Sequence, residues 1–436
     1  MKGQINLWQL LTGGLIVCIF TIGLTASAAA VTVDFHGKAL TGVINTSNAK
    51  VLDRGKDIVD PDSATIGVGK FRLRAEVGTD DGLAKMVYGF ETGATDFGSG
   101  GWDYSGDSKD FENRFAYIQS AIPGIDDSIY GRIGLQKTGI NHWVWTETAA
   151  GITVHGEGRF NWQAGWFRGL EEDVDDDEDY DYLTDANDDT DLFIAKADFR
   201  PITDVKVGGF GVYALDFQDK ETVQKDADQY WLGLTGEVGG PVFASGDLIY
   251  QGGETGVDGD DDVSAYLANL TMGFKLNDSQ KLSFNALYVS GDDDPNDSDQ
   301  EAFQSIDADV KVGQIFFKDS LAGSLDRFVD DMFGSTMPAG LRNNGLINLA
   351  LEGEMQLDEK NNLRAAARYL QTAEDDPIFD EDELGYELDL WYTYKMNKNI
   401  SFKVEGAYLF TGDLAEYIFL DDDDVYLASV GAVFKF

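Results

Sequence analysis

From Val31 onward the chain repeats one pattern, stretches of about 9 to 14 residues in which apolar and polar positions alternate. Phe71, Leu73, Ala75 and Val77 interleave with Lys70, Arg72, Arg74 and Glu76, and Leu363, Ala365, Ala367 and Tyr369 with Arg364 and Arg368. Tyr386, Leu388, Leu390, Tyr392 and Tyr394 oppose Glu387, Asp389 and Lys395 in the same way. Phe402, Val404, Gly406, Tyr408 and Phe410 oppose Lys403 and Glu405. A period of two puts alternate side chains on opposite faces of a strand. An unpaired ion in a low-dielectric core costs several kcal/mol, so a face that carries charge at regular positions has to be wet. The pattern predicts strands with an apolar outer face and a charged, water-facing inner one.

The connections alternate too. Short ones with turn chemistry fall at 79–82, 123–126, 156–158, 201–204, 239–241, 277–280, 358–361 and 397–399. Long polar ones fall at 45–63, 95–111, 138–150, 170–190, 218–227, 253–263, 291–340, 374–382 and 412–423. This predicts an all-β, transmembrane antiparallel β-barrel of about 18 strands, with 16 as the alternative count. Short periplasmic turns and long, mostly acidic external loops complete it, with both termini on the short-turn side. Residues 116–121 and 265–271 alternate poorly, and a helix-leaning run at 324–333 interrupts the longest loop. That loop, with Ile315, Phe316, Phe317, Phe328, Val329, Met332 and Phe333, is long enough to plug a pore.

Residues 1–30 have the form of a signal peptide: Lys2, an apolar run over 7–24, then Ala26, Ser27, Ala28, Ala29 and Ala30, with cleavage after Ala28 or Ala30. Residues 31–436 are expected to form the barrel. The single cysteine, Cys18, lies in the leader, so the mature chain is expected to contain no disulfide. No later segment approaches the roughly 18 apolar residues of a spanning helix.

Acidic residues outnumber basic ones 78 to 33, for a formal charge of −45. That balance excludes nucleic acid as a partner, because phosphate binding needs a basic footprint. It favours cations and a cation-bridged lipopolysaccharide surface. Inward basic candidates gather early, at Lys38, Arg72, Arg74, Arg114, Arg132 and Arg159, whereas inward acids come later, at Glu237, Asp247, Glu352, Glu354, Glu387, Asp389 and Glu405. Opposed walls of unlike charge set up a field across a pore. Segment 170–190 holds twelve carboxylates and no Lys or Arg. There Asp173, Asp175, Asp177 and Asp179 are weak Ca²⁺ candidates, because the glycine and the closing glutamate of an EF-hand are missing. Divalent cations held loosely at the external loops are the expectation. Only His36, His142 and His155 occur, none at metal-ligand spacing, and no nucleophile motif appears; neither enzyme activity nor a cofactor is expected.

The ending VYLASVGAVFKF places Tyr426, Ala428, Val430, Ala432, Phe434 and Phe436 on one face. It resembles the assembly signal of Gram-negative outer-membrane β-barrels, which implies Tyr426, Phe434 and Phe436 as the residues read by the barrel-assembly machinery. The segment GYELDLWYTYKMNKNISFKVEGAYLFTGD, 385–413, resembles the penultimate hairpin of the eighteen-stranded, alginate-export type of porin and its relatives. In general porins, which the chain also resembles, the third long loop folds inward. By loop order the resemblance implies His142, Trp143, Trp145 and Glu147 as constriction residues, with a rim of the aromatic girdle as their alternative place. It also implies a homotrimer in outer-membrane lipid. The expected function is passive diffusion of small hydrophilic solutes and ions, with cations preferred in dilute salt. Export of an anionic polysaccharide is one alternative, although it calls for a more basic lumen. A structural or adhesive barrel whose loops bridge cations to a surface layer is the other.

Overall fold

The computed structural model describes residues 31–47, 63–96, 111–125, 128–170, 190–215, 227–257, 260–294, 299–308, 310–316, 319–321, 343–376, 380–419 and 424–436. In chain order the first strands are β1 (Val31–Ser47), β2 (Ser63–Thr79), β3 (Ala84–Asp96), β4 (Phe111–Ala121), β5 (Ile129–Lys137), β6 (Thr148–Gly156) and β7 (Phe160–Leu170). Next come β8 (Thr190–Ile202), β9 (Val205–Leu215), β10 (Gln229–Val238), β11 (Val242–Val257), β12 (Asp260–Asn277) and β13 (Gln280–Val289). The last are β14 (Asp299–Gln300), β15 (Leu346–Gln356), β16 (Asn361–Gln371), β17 (Glu383–Lys395), β18 (Ile400–Thr411) and β19 (Val425–Lys435). A seven-residue helix, Asp413–Phe419, precedes β19. Two-residue β14 runs parallel to β12; the other eighteen strands pair antiparallel with their sequence neighbours, and β1 pairs with β19 to close the barrel. The count is eighteen, not the alternative sixteen.

All eight short turns fall where their residues predict them. Asp81, Asn277, Asp358 and Asn397 each accept a backbone N–H two residues ahead with a side-chain oxygen, the local bond that makes such residues turn formers. One predicted long loop is not a loop. Residues 253–257 and 260–263 continue the ladder, with Glu254 opposite Asp262 and Val257 opposite Asp260, because backbone pairing persists where side-chain alternation fades. The helix-leaning run at 324–333 lies outside the described residues.

The outer face is apolar. Leu232, Leu234, Leu248, Leu351, Leu388 and Leu390 are all about half exposed, as side chains that face hydrocarbon are. Aromatic residues border this band at both ends. Tyr230, Tyr250 and Tyr266 contact one another at the long-loop end, with centroids 6.0 and 5.1 Å apart. Phe434 and Phe436 meet at 5.5 Å at the short-turn end. Such girdles suit rings that are apolar on one side and wet on the other. Phe436 exchanges both backbone hydrogen bonds with Gly37, and its ring covers that glycine, where a β-carbon would fall within the ring.

The inner face departs from expectation. Trp231, Ile249, Ala265, Leu267, Leu287 and Leu346 point inward and are buried. They pack on two chain segments that enter the barrel, 138–147 between β5 and β6 and the described residues of 302–321 between β14 and β15, and the buried side chains of both form one apolar cluster. The poor alternation at 265–271 follows from this. Its inward positions meet protein, so they need not be polar.

Arginine in place of Leu388 or Leu390 should destabilise the barrel by roughly 2–4 kcal/mol if the position lies at mid-membrane. The neighbouring inward Asp389 is not the mild site that a water-filled lumen implies. It is 4% exposed and pairs with Arg368 at 2.7 Å, so an arginine there would face another arginine without water between them. Urea unfolding in lipid bilayers should rank Asp389→Arg as at least as damaging as Leu388→Arg.

Candidate functional site

The first entering segment folds inward rather than joining the girdle. Asn141 starts a tight turn in which its side chain accepts the Trp143 N–H at 2.8 Å and its carbonyl accepts the Trp145 N–H at 2.9 Å. The turn is held to the far wall by Asp247 on β11, which accepts Asn141 Nδ2 at 2.9 Å and Trp143 Nε1 at 3.2 Å. Lys196 on β8 donates to the carbonyls of Gly139 and Ile140 at 3.1 and 2.7 Å. Trp143 and Trp145 are buried, Trp145 edge-on to Phe167 at 5.3 Å. Glu147 reaches back to Arg114 at 3.6 Å. His142 lies on Trp143 at 4.6 Å and faces a polar cavity of about 560 Å³. Lys206, Glu237, Thr235 and Asn269 line it as well.

The second segment crosses from one wall to the other. Ser305 Oγ donates to the Trp143 carbonyl at 2.7 Å, and the Ile306 and Asp307 N–H groups donate to Val144, so the two segments brace each other. On one wall Trp231 Nε1 donates to the Gln304 carbonyl at 2.9 Å, and the Gln304 N–H donates to Gln251 at 2.7 Å. On the opposite wall the Gln314 and Ile315 N–H groups donate to Glu387 at 2.6 and 3.0 Å. There Trp391 Nε1 donates to the Asp319 carbonyl at 2.6 Å, and Arg364 pairs with Asp319 while lying 3.6 Å above the Trp391 ring.

This changes the role of three inward acids. Glu387, Asp389 and Glu405 point into the barrel but do not line open water; each is less than 5% exposed. Backbone N–H groups of the second segment bond Glu387 Oε1 and Glu405 Oε2, and the Arg368 guanidinium bonds Asp389 Oδ2, which offsets part of the cost of burial; Glu387 Oε2 and Asp389 Oδ1 are buried without a hydrogen bond among the described residues. Glu352 and Glu354 remain nearer solvent, Glu352 3.8 Å from Arg368 and Glu354 paired with Lys281. Glu237 lies 3.8 Å from Lys206. Arg159 is a second correction. It sits in the turn between β6 and β7 and donates to the Pro201 carbonyl at 3.4 Å, so the short connection, not the wall, claims it. Asp173, Asp175, Asp177 and Asp179 lie outside the described residues.

The early cations form an inner strip. Lys38 stands opposite Lys435 on β19 and Arg72 on β2. Glu91, which the sequence reading did not single out, receives Lys70 at 2.7 Å, Arg72, and Arg114 at 3.5 Å. Strict alternation with outward Tyr88 and Phe90 marks it as inward. Arg74 pairs with Glu76 at 2.9 Å. Arg132 is held between the Tyr117 and Tyr130 rings, 5.4 and 5.2 Å away, and donates to Gln119 at 2.8 Å. Among the described residues no carboxylate lies within ion-pair distance of Lys38, Arg132 or Lys435.

His142 supplies a pH test of the first segment. Although the ring is exposed to the cavity, the barrel walls around it desolvate the charged form and, with Lys196 adding to the effect, hold its imidazole below the usual 6.5 against the pull of Asp247. A lowered histidine favours the neutral form in the folded state. The seat is therefore complete above the ordinary histidine range and weakens as pH falls below 6.5 through the lowered value. Tryptophan fluorescence should change over that acid range, and His142→Gln should remove the change.

No protein-family model matches the sequence, and no curated protein matches it significantly. Solved structures do match the fold. Pseudomonas aeruginosa OccK9 (OpdG) superposes with a TM-score of 0.56 at 12% identity, over 93% of this chain and 98% of that one. For P. aeruginosa OccD3 (OpdP) the values are 0.54, 13%, 94% and 93%. For P. aeruginosa OpdK, solved with vanillate, they are 0.54, 11%, 92% and 98%. The all-β barrel of eighteen antiparallel strands, closed first to last, is thus the fold of Gram-negative outer-membrane porins.

Proposed function

We propose that the protein is a passive outer-membrane channel for small hydrophilic solutes and ions, with cations preferred in dilute salt. The observation that carries the reading is a closed wall, apolar outside, whose inner side keeps a basic strip and a polar cavity of about 560 Å³ beside the entering segment. A cavity lined by both signs of charge suits polar solutes and penalises apolar ones. OpdK was solved with vanillate, a carboxylate, and the cations of the strip with no ion-pair partner among the described residues would suit such a group. The excess of acids in the long connections would raise the local cation concentration at the mouth. Screening confines that effect to about 10 Å at 0.1 M salt and about 3 Å at 1 M. The mouth therefore governs selectivity in dilute salt and the basic strip in concentrated salt.

A second reading, a structural barrel whose second entering segment acts as a plug, draws on the extent of wall that this segment covers. Planar-bilayer recording separates the two. Stepwise conductance supports the channel, and a silent purified protein overturns it. Reversal potentials under a KCl gradient should show cation preference in dilute KCl, and neutralising Asp173, Asp175, Asp177 and Asp179 should weaken it. Anion preference unaffected by those changes would place the acidic loops away from the conduction path.

A further inference from the structure

We propose that Leu321 is the positioning residue that fixes the second entering segment and with it the calibre of the channel, by seating in a slot where the first and last strands meet. The inference rests on the channel reading above. Gly42 of β1 and Gly431 of β19 are cross-strand partners and face inward. A β-carbon at Gly42 would lie 2.6 Å from Leu321 Cδ2, and one at Gly431 2.5 Å from the same atom. Neither glycine has a positive φ; a β-carbon at Gly42 would also come 2.9 Å from the Val430 carbonyl and one at Gly431 closer still to the Thr41 carbonyl, so the paired strands and Leu321 together leave room only for glycine. Leu321 is fully buried, and its N–H donates to Glu405, which Lys403 holds at 3.0 Å.

The polar clamps at Glu387, Trp391 and Arg364 align the segment along the wall, but water can replace each of their bonds. Nothing replaces an apolar knob except a void or another apolar group. Leu321 is also the contact made across the closing seam, because its slot exists only where β1 and β19 are paired. The segment therefore seats on a closed barrel and not on an open sheet. The seated segment in turn bridges the two ends of the chain.

Truncation in a packed site costs enough to raise the ratio of unseated to seated segment about 100-fold. In planar bilayers Leu321→Ala should add a larger-conductance level and open-channel noise. Leu321→Met should restore the wild-type record. Both Leu321 variants should keep wild-type heat-modifiable migration on gels. A second readout needs no conduction. Ser320 is buried beside the knob, so a cysteine introduced by Ser320→Cys should resist a polar maleimide in otherwise wild-type protein and react readily when combined with Leu321→Ala. Wild-type conductance in Leu321→Ala together with continued protection of that cysteine would overturn the proposal. A silent wild-type channel would overturn the functional reading alone, and the labelling would still decide whether Leu321 holds the segment.

Discussion

The structure depends on one constraint, that a backbone surrounded by hydrocarbon must satisfy every N–H and C=O within the protein. An open sheet leaves two rows of unpaired groups at its edges, so a sheet in lipid has to close. Here closure falls to β1 and β19, with nine registered pairs from Lys38 opposite Lys435 to Thr46 opposite Leu427. The final residue extends the seam by bonding Gly37. Strand number, the alternation of connection lengths and the common side of the termini all follow from closing a simple up-and-down meander.

Closure also divides the side chains into two solvents. Outward positions answer to lipid and are apolar almost without exception, whereas inward positions answer to whatever fills the barrel. Where that filling is water, the wall carries Lys38, Arg74 or Glu237. Where it is chain, the wall carries Leu267, Trp231 or Leu427, together with carboxylates such as Glu387 that take backbone N–H groups in place of water. An inward acid on this wall is consequently of two kinds. One kind faces the open interior, and the other fastens the protein to itself.

The two entering segments follow the same logic. Each carries backbone groups into a confined interior, and those groups must be paired there. Trp231, Gln251, Trp391 and Glu387 supply partners from the wall, while Ser305 and Val144 supply them between the segments. The interior is thus part wall, part crossbar and part cavity, with a basic strip on β1, β2 and β5.

The sequence by itself determined the barrel. Alternation at period two and punctuation by turn residues are local properties, and they were enough for the number of strands, the outward face and all eight short turns. The fate of 253–263 was not legible, since a ladder of backbone bonds leaves little trace in side-chain pattern. Nor could the sequence tell a lumenal acid from a fastening one. Glu354 and Glu387 have the same alternation, and only the folded chain places segment 302–321 over the second and not the first. Arg159 was misread because a shift of one or two residues at a strand end moves a side chain from wall to turn. Gly42 and Gly431 are nearly four hundred positions apart, and their need to be glycine rests on strand carbonyls and a leucine that only the closed barrel brings together. Contacts of that kind depend on shape across the whole molecule, which local pattern does not encode.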